Sequence, residues 1–253
     1  MLSNFQDALL IILTVVCSLL VMVTLNWVWP RDQRKAHNDL IGWQLNVLGT
    51  MYAVIIGFML YTVWTDFGTA SMNTTAEANA IVNIHRLAAG LPLEQQEAMR
   101  QHAQDYVGAV IYRGWPAMSR GEVSTESSEI SRKMWHTLMS IQSPTPTQVI
   151  AEDHALYELS TLTEHRQMRQ LAVSSKLPSI LWCVLFLGGA LTIFSACLFG
   201  QENVVLHGIQ VFALSFLISL VLVAIADINR PFQGAVHVSD AAFRRAQISM
   251  QPQ

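Results

Sequence analysis

The sequence predicts an all-α membrane protein whose four transmembrane helices form two hairpins. Of its 253 residues, 52% are hydrophobic and only 13% are charged, whereas soluble domains carry about 25% charged residues. The mean hydropathy of +0.34 points the same way. The hydrophobic residues are concentrated in four apolar segments that lack Lys and Arg. These segments lie at residues 8–29, 41–64, 178–200 and 204–228. Each is long enough to cross the hydrocarbon layer as a helix, which takes about 20 residues.

The first apolar segment is predicted to be a span and not a cleavable signal. Its N-terminal flank lacks Lys and Arg, its apolar core is too long, and no cleavage site of small residues follows it. Tryptophans lie at the segment ends, where the membrane–water interface favours aromatic rings. These are Trp27, Trp29, Trp43, Trp64 and Trp182.

Short connectors join the spans within each pair, so the two hairpins bracket one polar insert at residues 65–177, and a tail follows at 229–253. Apolar residues at helical spacing, such as Met99, Ala103 and Tyr106, predict helices in the insert, and no alternating β pattern appears. Residues 116–129 are polar and rich in Gly and Ser, which predicts a loop. We expect the flanking helices of the insert to run straight out of the second span and straight into the third.

Basic residues divide almost evenly between the first connector and the tail, so the positive-inside rule gives a near balance. Arg166, Arg169 and Lys176, which precede the third span, favour a cytoplasmic location for the N-terminus, the insert and the C-terminus. The formal net charge of −3 gives no indication of a nucleic-acid partner.

A stripe of small residues runs along the second span. Gly49, Ala53 and Gly57 recur every four residues, which places them on one side of a helix. Small residues at this spacing let another helix approach closely inside a membrane. We therefore expect a helix-packing face here.

A mildly polar face lies beside that stripe and consists of Asn46, Thr50, Val54 and Phe58. Polar side chains in a membrane usually face a bundle interior or a water path. Copies of this helix around an axis would form a narrow neck lined by these residues. In the competing interpretation Asn46 and Thr50 only bond to a neighbouring helix, and residue types alone favour that one.

The polar residues of the insert form no catalytic or metal-binding motif. Its histidines occur in neither an H-x-x-x-H nor an H-E-x-x-H pair, the spacings that place two imidazoles on one helix face. A nucleophile elbow and a Gly-rich phosphate loop are also missing from the sequence. We predict no enzyme activity, no cofactor and no metal, and we expect solvated or packed histidines. They are His85, His102, His136, His154 and His165.

The fourth span is followed directly by a stretch that is expected to end it. Pro231 has no backbone N–H and disfavours helical geometry at Arg230. Asp227 and Arg230 are spaced to pair across the last helical turn. Phe232 can fold back against the insert and anchor the tail, whereas ligand sensing at this corner is the less favoured alternative.

The sequence resembles the bestrophin-like domain family of bacterial membrane proteins and, more distantly, the bestrophin anion channels. Beyond the layout of spans, Gly57-Phe58 is similar to the bestrophin neck and Pro231-Phe232 to the Pro-Phe that follows the last bestrophin span. The segments that carry the resemblance are 47–68, 76–92, 113–118, 164–182 and 229–234.

The resemblance implies a homopentamer in the bacterial inner membrane. Its central pore would be lined by the second span and continued through the cytoplasmic helices, with Thr50, Val54 and Phe58 facing the neck. Animal bestrophins have an acidic calcium-binding run after this Pro-Phe, whereas residues 233–240 hold one acid, Asp240. This departure from the family pattern predicts no such calcium site here. The neck departs as well, because it would hold one phenylalanine per subunit rather than several aromatic residues.

Three hypotheses of function follow. The first is an oligomeric channel for small inorganic ions, with anions as the expected species and an apolar neck that gates by dewetting. The second is a non-conducting membrane scaffold or sensor whose helical insert binds a partner. The third, a metal-dependent membrane enzyme, rests only on counts of His and Glu.

Overall fold

The computed structural model describes residues 4–142, 144–175 and 177–251, and across these residues the chain is helical without strands, which confirms the predicted all-α class. The α-helices within these ranges are α1 Asn4–Val28, α2 Arg31–Lys35, α3 Asn38–Leu87, α4 Leu93–Ala109, α5 Trp115–Ser119, α6 Glu126–Met139, α7 Pro146–Ser174, α8 Ser179–Cys197, α9 Val204–Ile228 and α10 Ala241–Ser249.

Among the described residues, four helices are long and apolar enough to cross a membrane, which confirms the four predicted spans. They are α1, α3, α8 and α9. Within α3 the predicted span is only one part, because the helix contains 50 residues. As expected, no turn separates the second span from the first helix of the insert.

The matching expectation at the third span is wrong, because α7 does not continue into α8. The helix α7 ends at Ser174, and Ser175 has extended backbone angles. Pro178 precedes α8 and is itself extended, with φ −54° and ψ 142°. Proline disfavours helical geometry in the residue before it and cannot donate a backbone hydrogen bond. Lys176, which helped to set the predicted orientation, lies outside the described residues.

The chain divides into two compact units. Unit 1 comprises Met1–Thr65 and Lys176–Asn229, and unit 2 comprises Asp66–Ser175 and Arg230–Gln253. The C-terminal tail, which sequence reasoning treated as a separate segment, therefore belongs to the same unit as the insert.

Unit 1 packs the four apolar helices against one another, with α1 lying along α9 and α8. The ring of Tyr52 on α3 lies against Gly188 and Gly189 of α8. Its hydroxyl donates a hydrogen bond to the Leu185 carbonyl oxygen at 3.1 Å. Two adjacent glycines thus make room for an aromatic ring inside the unit.

The first connector in unit 1 is more ordered than its composition predicts. It forms the short helix α2, and the guanidinium of Arg34 is buried. Arg34 donates to the Cys197 carbonyl oxygen at 3.1 Å and also to the side-chain oxygen of Asn26. Asn38 and Gly200 exchange two further hydrogen bonds at 3.1 and 2.9 Å. These contacts tie the connector to the end of α8.

Unit 2 has its own apolar core, built from the later part of α3 together with α4, α6, α7 and α10. The predicted α4 stripe of Met99, Ala103 and Tyr106 is buried there, as are Met134 and Leu138 of α6. The tail adds Phe243 of α10, which is fully buried. Helical spacing of apolar residues therefore identified the core face of α4 correctly.

The loop predicted for residues 116–129 is largely helical. Residues 110–114 form a π-helical turn that joins α4 directly to α5, and α6 begins at Glu126, so only 120–125 remain non-helical. Pro116 lies in the first turn of α5, directly after the π-helical turn. The chain reverses at Gly121, whose φ of 79° is strained for other residues.

Candidate functional site

The predicted pore face of α3 is exposed in the isolated chain. Asn46 and Thr50 are both exposed, and so are Val54 at 54% and Phe58 at 65%. Tyr52 and Val63 on the opposite side of the same helix are buried against α8 and α9. The helix therefore has one face packed within unit 1 and one face that unit 1 leaves uncovered.

This uncovered face is wider than the sequence analysis proposed. Met51 and Tyr61 are exposed on it at 60% and 68%. Thr62 is also exposed, and its hydroxyl donates to the Phe58 carbonyl oxygen at 2.9 Å. Tyr61 lies three residues after Phe58 and could have been assigned to this face by extending the same helical spacing. Residues 41–64 include no charged side chain, so the face is neutral.

The small-residue stripe is open within one chain. A Cβ atom added at Gly49 or Gly57 would meet no atom within 4 Å, and Ala53 is exposed. The close approach that glycine permits occurs instead at Gly188, where an added Cβ would lie 2.6 Å from the Tyr52 ring. The packing role of Gly49, Ala53 and Gly57 thus stays a prediction about contacts with another chain.

The fourth span ends where the sequence suggested. Helix α9 stops at Ile228, and the side-chain oxygen of Asn229 accepts a hydrogen bond from the Leu177 N–H at 3.2 Å. This bond joins the end of α9 to the residues before α8 within unit 1. The pairing of Asp227 with Arg230 remains a prediction.

Pro231 and Phe232 begin the part of the tail that packs in unit 2. The Pro231 carbonyl oxygen accepts from the Val238 N–H at 2.7 Å, which closes a loop around Gly234. Phe232 is 4% exposed, and its ring meets Trp115 edge-on with centroids 5.8 Å apart. The anchoring of Phe232 against the insert is therefore observed.

Unit 2 contains a buried charge cluster of Glu77, Tyr106 and Arg169 that the sequence did not predict. Arg169 of α7 donates from Nε to Oε2 of Glu77 at 2.6 Å and from Nη2 to Oε1 at 2.8 Å. The Tyr106 hydroxyl donates to Oε1 of the same carboxylate at 2.6 Å. The guanidinium of Arg169 also lies 5.7 Å from the ring centroid of Trp115 and 5.8 Å from that of Phe243. One ion pair thus joins four helices of the unit, α3, α4, α7 and α10, with Trp115 of α5 alongside.

The cluster perturbs its members in opposite ways. Burial, reinforced by the neighbouring Glu77 carboxylate, raises the pKa of Tyr106 well above its ordinary value. Burial lowers the pKa of Arg169, but the charge and hydrogen bonds of Glu77 outweigh this effect and raise it overall. Arg169 is therefore charged and Tyr106 protonated at every physiological pH.

No group of three or more His, Cys, Asp and Glu side chains that could hold a metal ion occurs within residues 4–142, 144–175 and 177–251. His165 instead lies 2.9 Å from the side-chain oxygen of Asn73, which makes it a packed histidine of the α3–α7 contact. Glu77 is hydrogen-bonded to both Arg169 and Tyr106, and all three side chains are buried.

Together these features define an all-α membrane protein with four apolar helices and a helical insert. The sequence model of the Bestrophin-like domain matches residues 12–243, so the chain belongs to that family. This confirms the resemblance identified from the sequence. Comparison with curated proteins finds no match.

Solved structures share the fold over almost the whole chain. A variant of a bacterial bestrophin homologue from Klebsiella pneumoniae aligns with a TM-score of 0.72 and 13% identity, covering 97% of each chain. A second variant of that homologue aligns with a TM-score of 0.70 and 13% identity, with the same coverage. A crystal structure described as a membrane protein gives 0.71 and 13%, covering 95% of this chain and 97% of the other.

Proposed function

We propose that the chain is one subunit of an oligomeric, anion-conducting channel in the bacterial inner membrane, with the second span lining its pore. The observation that carries this proposal is the uncovered face of α3. Asn46, Thr50, Val54 and Phe58 project from a helix whose other side is packed against α8 and α9. Membership of the bestrophin-like family supports the same assignment.

The polarity of the face fits a neck better than it fits lipid. Asn46 and Thr50 bring an amide and a hydroxyl to a helix in the membrane, where polar groups are costly unless they meet water or protein. Val54 and Phe58 then form an apolar segment, and a ring of such side chains can gate by dewetting. The face carries no fixed charge, so in this proposal anion selectivity comes from dipoles and pore width.

The small-residue stripe supplies the contact between subunits. The open space at Gly49 and Gly57 is suited to a helix of a neighbouring copy, which could approach closely there. The pore face and the packing face adjoin on one helix, which is the arrangement that a ring of subunits requires. A pentamer, with the insert and both termini in the cytoplasm, is the assembly that we propose from the family resemblance.

Single-channel recording in planar bilayers tests the proposal. The purified protein should conduct. Under a chloride gradient, the reversal potential should lie close to the equilibrium potential of chloride. Phe58→Ala should raise the unitary conductance, because a smaller side chain widens the apolar segment. Phe186→Ala is the matched control, since Phe186 is a similarly exposed phenylalanine on α8 at 58%.

Two results would count against a pore lined by α3. One is a bilayer that stays silent at every voltage and pH tried, which would favour the membrane scaffold. The other is an equal rise in conductance for Phe58→Ala and Phe186→Ala. Imaging of the detergent-solubilised particle would separately give the number of subunits and show whether an opening lies on the symmetry axis.

A further inference from the structure

Unit 2 contains a polar cleft between α3 and α10 that the proposed pore does not use. The cleft has a volume of about 440 Å³, within the range of small-molecule sites. Ala78, Ala242 and Ala246 line it with short side chains, and Asn79, Arg86 and Arg245 line it with polar ones.

The two arginine side chains have no ion-pair or hydrogen-bond partner in the part of the chain that the structure describes. Neither Arg86 nor Arg245 forms an ion pair or a hydrogen bond there, although both line the same cleft. The neighbouring Arg244 differs, because it pairs with Asp240 at 2.7 Å and does not line the cleft. Two free guanidinium groups therefore face one concave space.

The remaining polar groups of the cleft favour an anion. No carboxylate of the described residues lines it. Asn83 lines the cleft, and its amide already donates to Glu158 at 3.0 Å, so this carboxylate has a hydrogen-bonded partner. The Asn79 side chain forms no hydrogen bond within the described chain and offers a further donor.

We infer that this cleft binds a small soluble anion that carries carboxylate or phosphate groups. The planar guanidinium presents paired N–H donors that match the oxygens of either group in a bidentate manner. The short alanine side chains that line the cleft leave space for a compact organic anion. The site would act in unit 2 independently of whether the protein conducts ions.

Isothermal titration of the full-length protein in detergent tests this inference. Citrate and inorganic phosphate serve as probes, and sodium chloride at equal ionic strength is the reference. We expect saturable binding of at least one probe. Arg86→Gln and Arg245→Gln should each weaken it by about tenfold or more, because each removes a charged hydrogen bond.

Arg244→Gln is the matched control, since it removes an adjacent positive charge that does not line the cleft, and it should weaken binding clearly less than the cleft variants do. Arg86→Lys and Arg245→Lys keep the positive charge but lose the paired N–H donors of the guanidinium group. They should therefore give intermediate affinities. All five variants alter exposed side chains, and unchanged unliganded melting temperatures will show that they fold.

The inference is overturned if neither probe binds above the chloride reference, as expected for a cleft that a neighbouring copy fills. It is also overturned if the Arg244→Gln protein loses as much affinity as the cleft variants. A soluble short-chain phosphatidylglycerol is the third probe. Binding of this lipid headgroup without binding of citrate or phosphate would likewise reject a soluble anion as the ligand.

Discussion

The guanidinium of Arg169 is held by two hydrogen bonds to the carboxylate of Glu77, and both side chains are almost completely removed from solvent. These residues are 92 positions apart in the chain. A buried ion pair adds little net stability relative to apolar side chains of the same size, but removing one partner leaves a charge without compensation. The loss of either partner should therefore destabilise the contact between α3 and α7.

The first prediction concerns the loss of the Glu77 charge. Glu77→Gln should lower the free energy of unfolding by about 3–5 kcal/mol, because Arg169 would remain buried without its counter-charge. Chemical unfolding of the detergent-solubilised protein measures this change. Glu122→Gln is the control, since it breaks an exposed pair with Arg120 and should cost about 0–1 kcal/mol.

Replacing both members of the pair sharpens this test. The double variant Glu77→Leu with Arg169→Met removes both charges at once and should be more stable than Glu77→Gln alone. Equal losses for Glu77→Gln and Glu122→Gln would show that the buried pair has no special role.

The second prediction concerns alkaline pH. The pKa of Tyr106 is raised in the folded protein by burial and then by Glu77, whereas an unfolded tyrosine ionises near pH 10. The folded state therefore holds more protons above pH 10, and Tyr106 makes stability fall as the pH rises, by about 1.4 kcal/mol per unit. Below pH 10 its protonation contributes no pH dependence.

Thermal unfolding between pH 8 and pH 11 measures this effect as a difference between two proteins. Tyr106→Phe should be less stable than the wild type at pH 8, because it lacks the hydrogen bond to Glu77. The difference in stability between the wild type and Tyr106→Phe should narrow above pH 10, since only the wild type has this tyrosine to ionise on unfolding. A gap that stays constant to pH 11 would rule out a raised pKa at Tyr106.

The sequence predicted those parts of the fold that depend on local composition. Apolar length identified the four spans, and helical spacing identified the buried face of α4. Periodicity also placed Val54 and Phe58 on one side of α3, where the structure leaves them exposed. Each of these inferences needs only neighbouring residues and the geometry of a helix.

The rest depended on contacts that no local pattern encodes. Glu77 and Arg169 look like solvated helix charges until the fold brings α3 and α7 together. The burial of Arg34 likewise depends on Cys197, which is 163 residues away. The break at Pro178, in contrast, has a local signal in the sequence, because a proline disfavours helical geometry in the residue before it.

The third prediction concerns the anchor of the tail. Phe232→Ala should lower the stability of unit 2 by about 3–5 kcal/mol, because it empties a site lined by Trp115, Met118 and Val173. Phe232→Leu should cost less, since most of the volume is retained. Thermal unfolding measures the loss of stability. Limited proteolysis measures how readily the tail is cleaved after residue 230. Ile248→Ala, at an exposed position of α10, is the control and should have little effect.

If the tail is anchored by Phe232, the Ala variant should be cleaved within residues 233–251 much faster than the wild type. Equal cleavage rates for Phe232→Ala and Ile248→Ala would mean that α10 holds the tail without this ring. Phe243 would then be the next residue to vary, because it is fully buried and lies beside Trp115.

The fourth prediction distinguishes a glycine that packs within one subunit from a glycine that is proposed to pack against a neighbouring subunit. Gly188→Ala places a methyl group 2.6 Å from the Tyr52 ring and should cost about 1–3 kcal/mol through overpacking. Gly57→Ala meets open space within the chain and should leave the fold of each subunit intact. In the proposed assembly the same methyl group disturbs the contact with the next copy, so the oligomer should dissociate at a higher protein concentration.

Thermal unfolding and light scattering coupled to size exclusion measure the two effects separately. A smaller side chain at position 52 should rescue the first variant, so Gly188→Ala with Tyr52→Leu should lose less stability than the two single changes added together. Gly68→Ala is the control for the second, because Gly68 also meets open space but lies outside the apolar stripe. If Gly57→Ala and Gly68→Ala assemble alike, the stripe of Gly49, Ala53 and Gly57 does not form the contact between subunits, and α3 would have to meet its neighbour through another face.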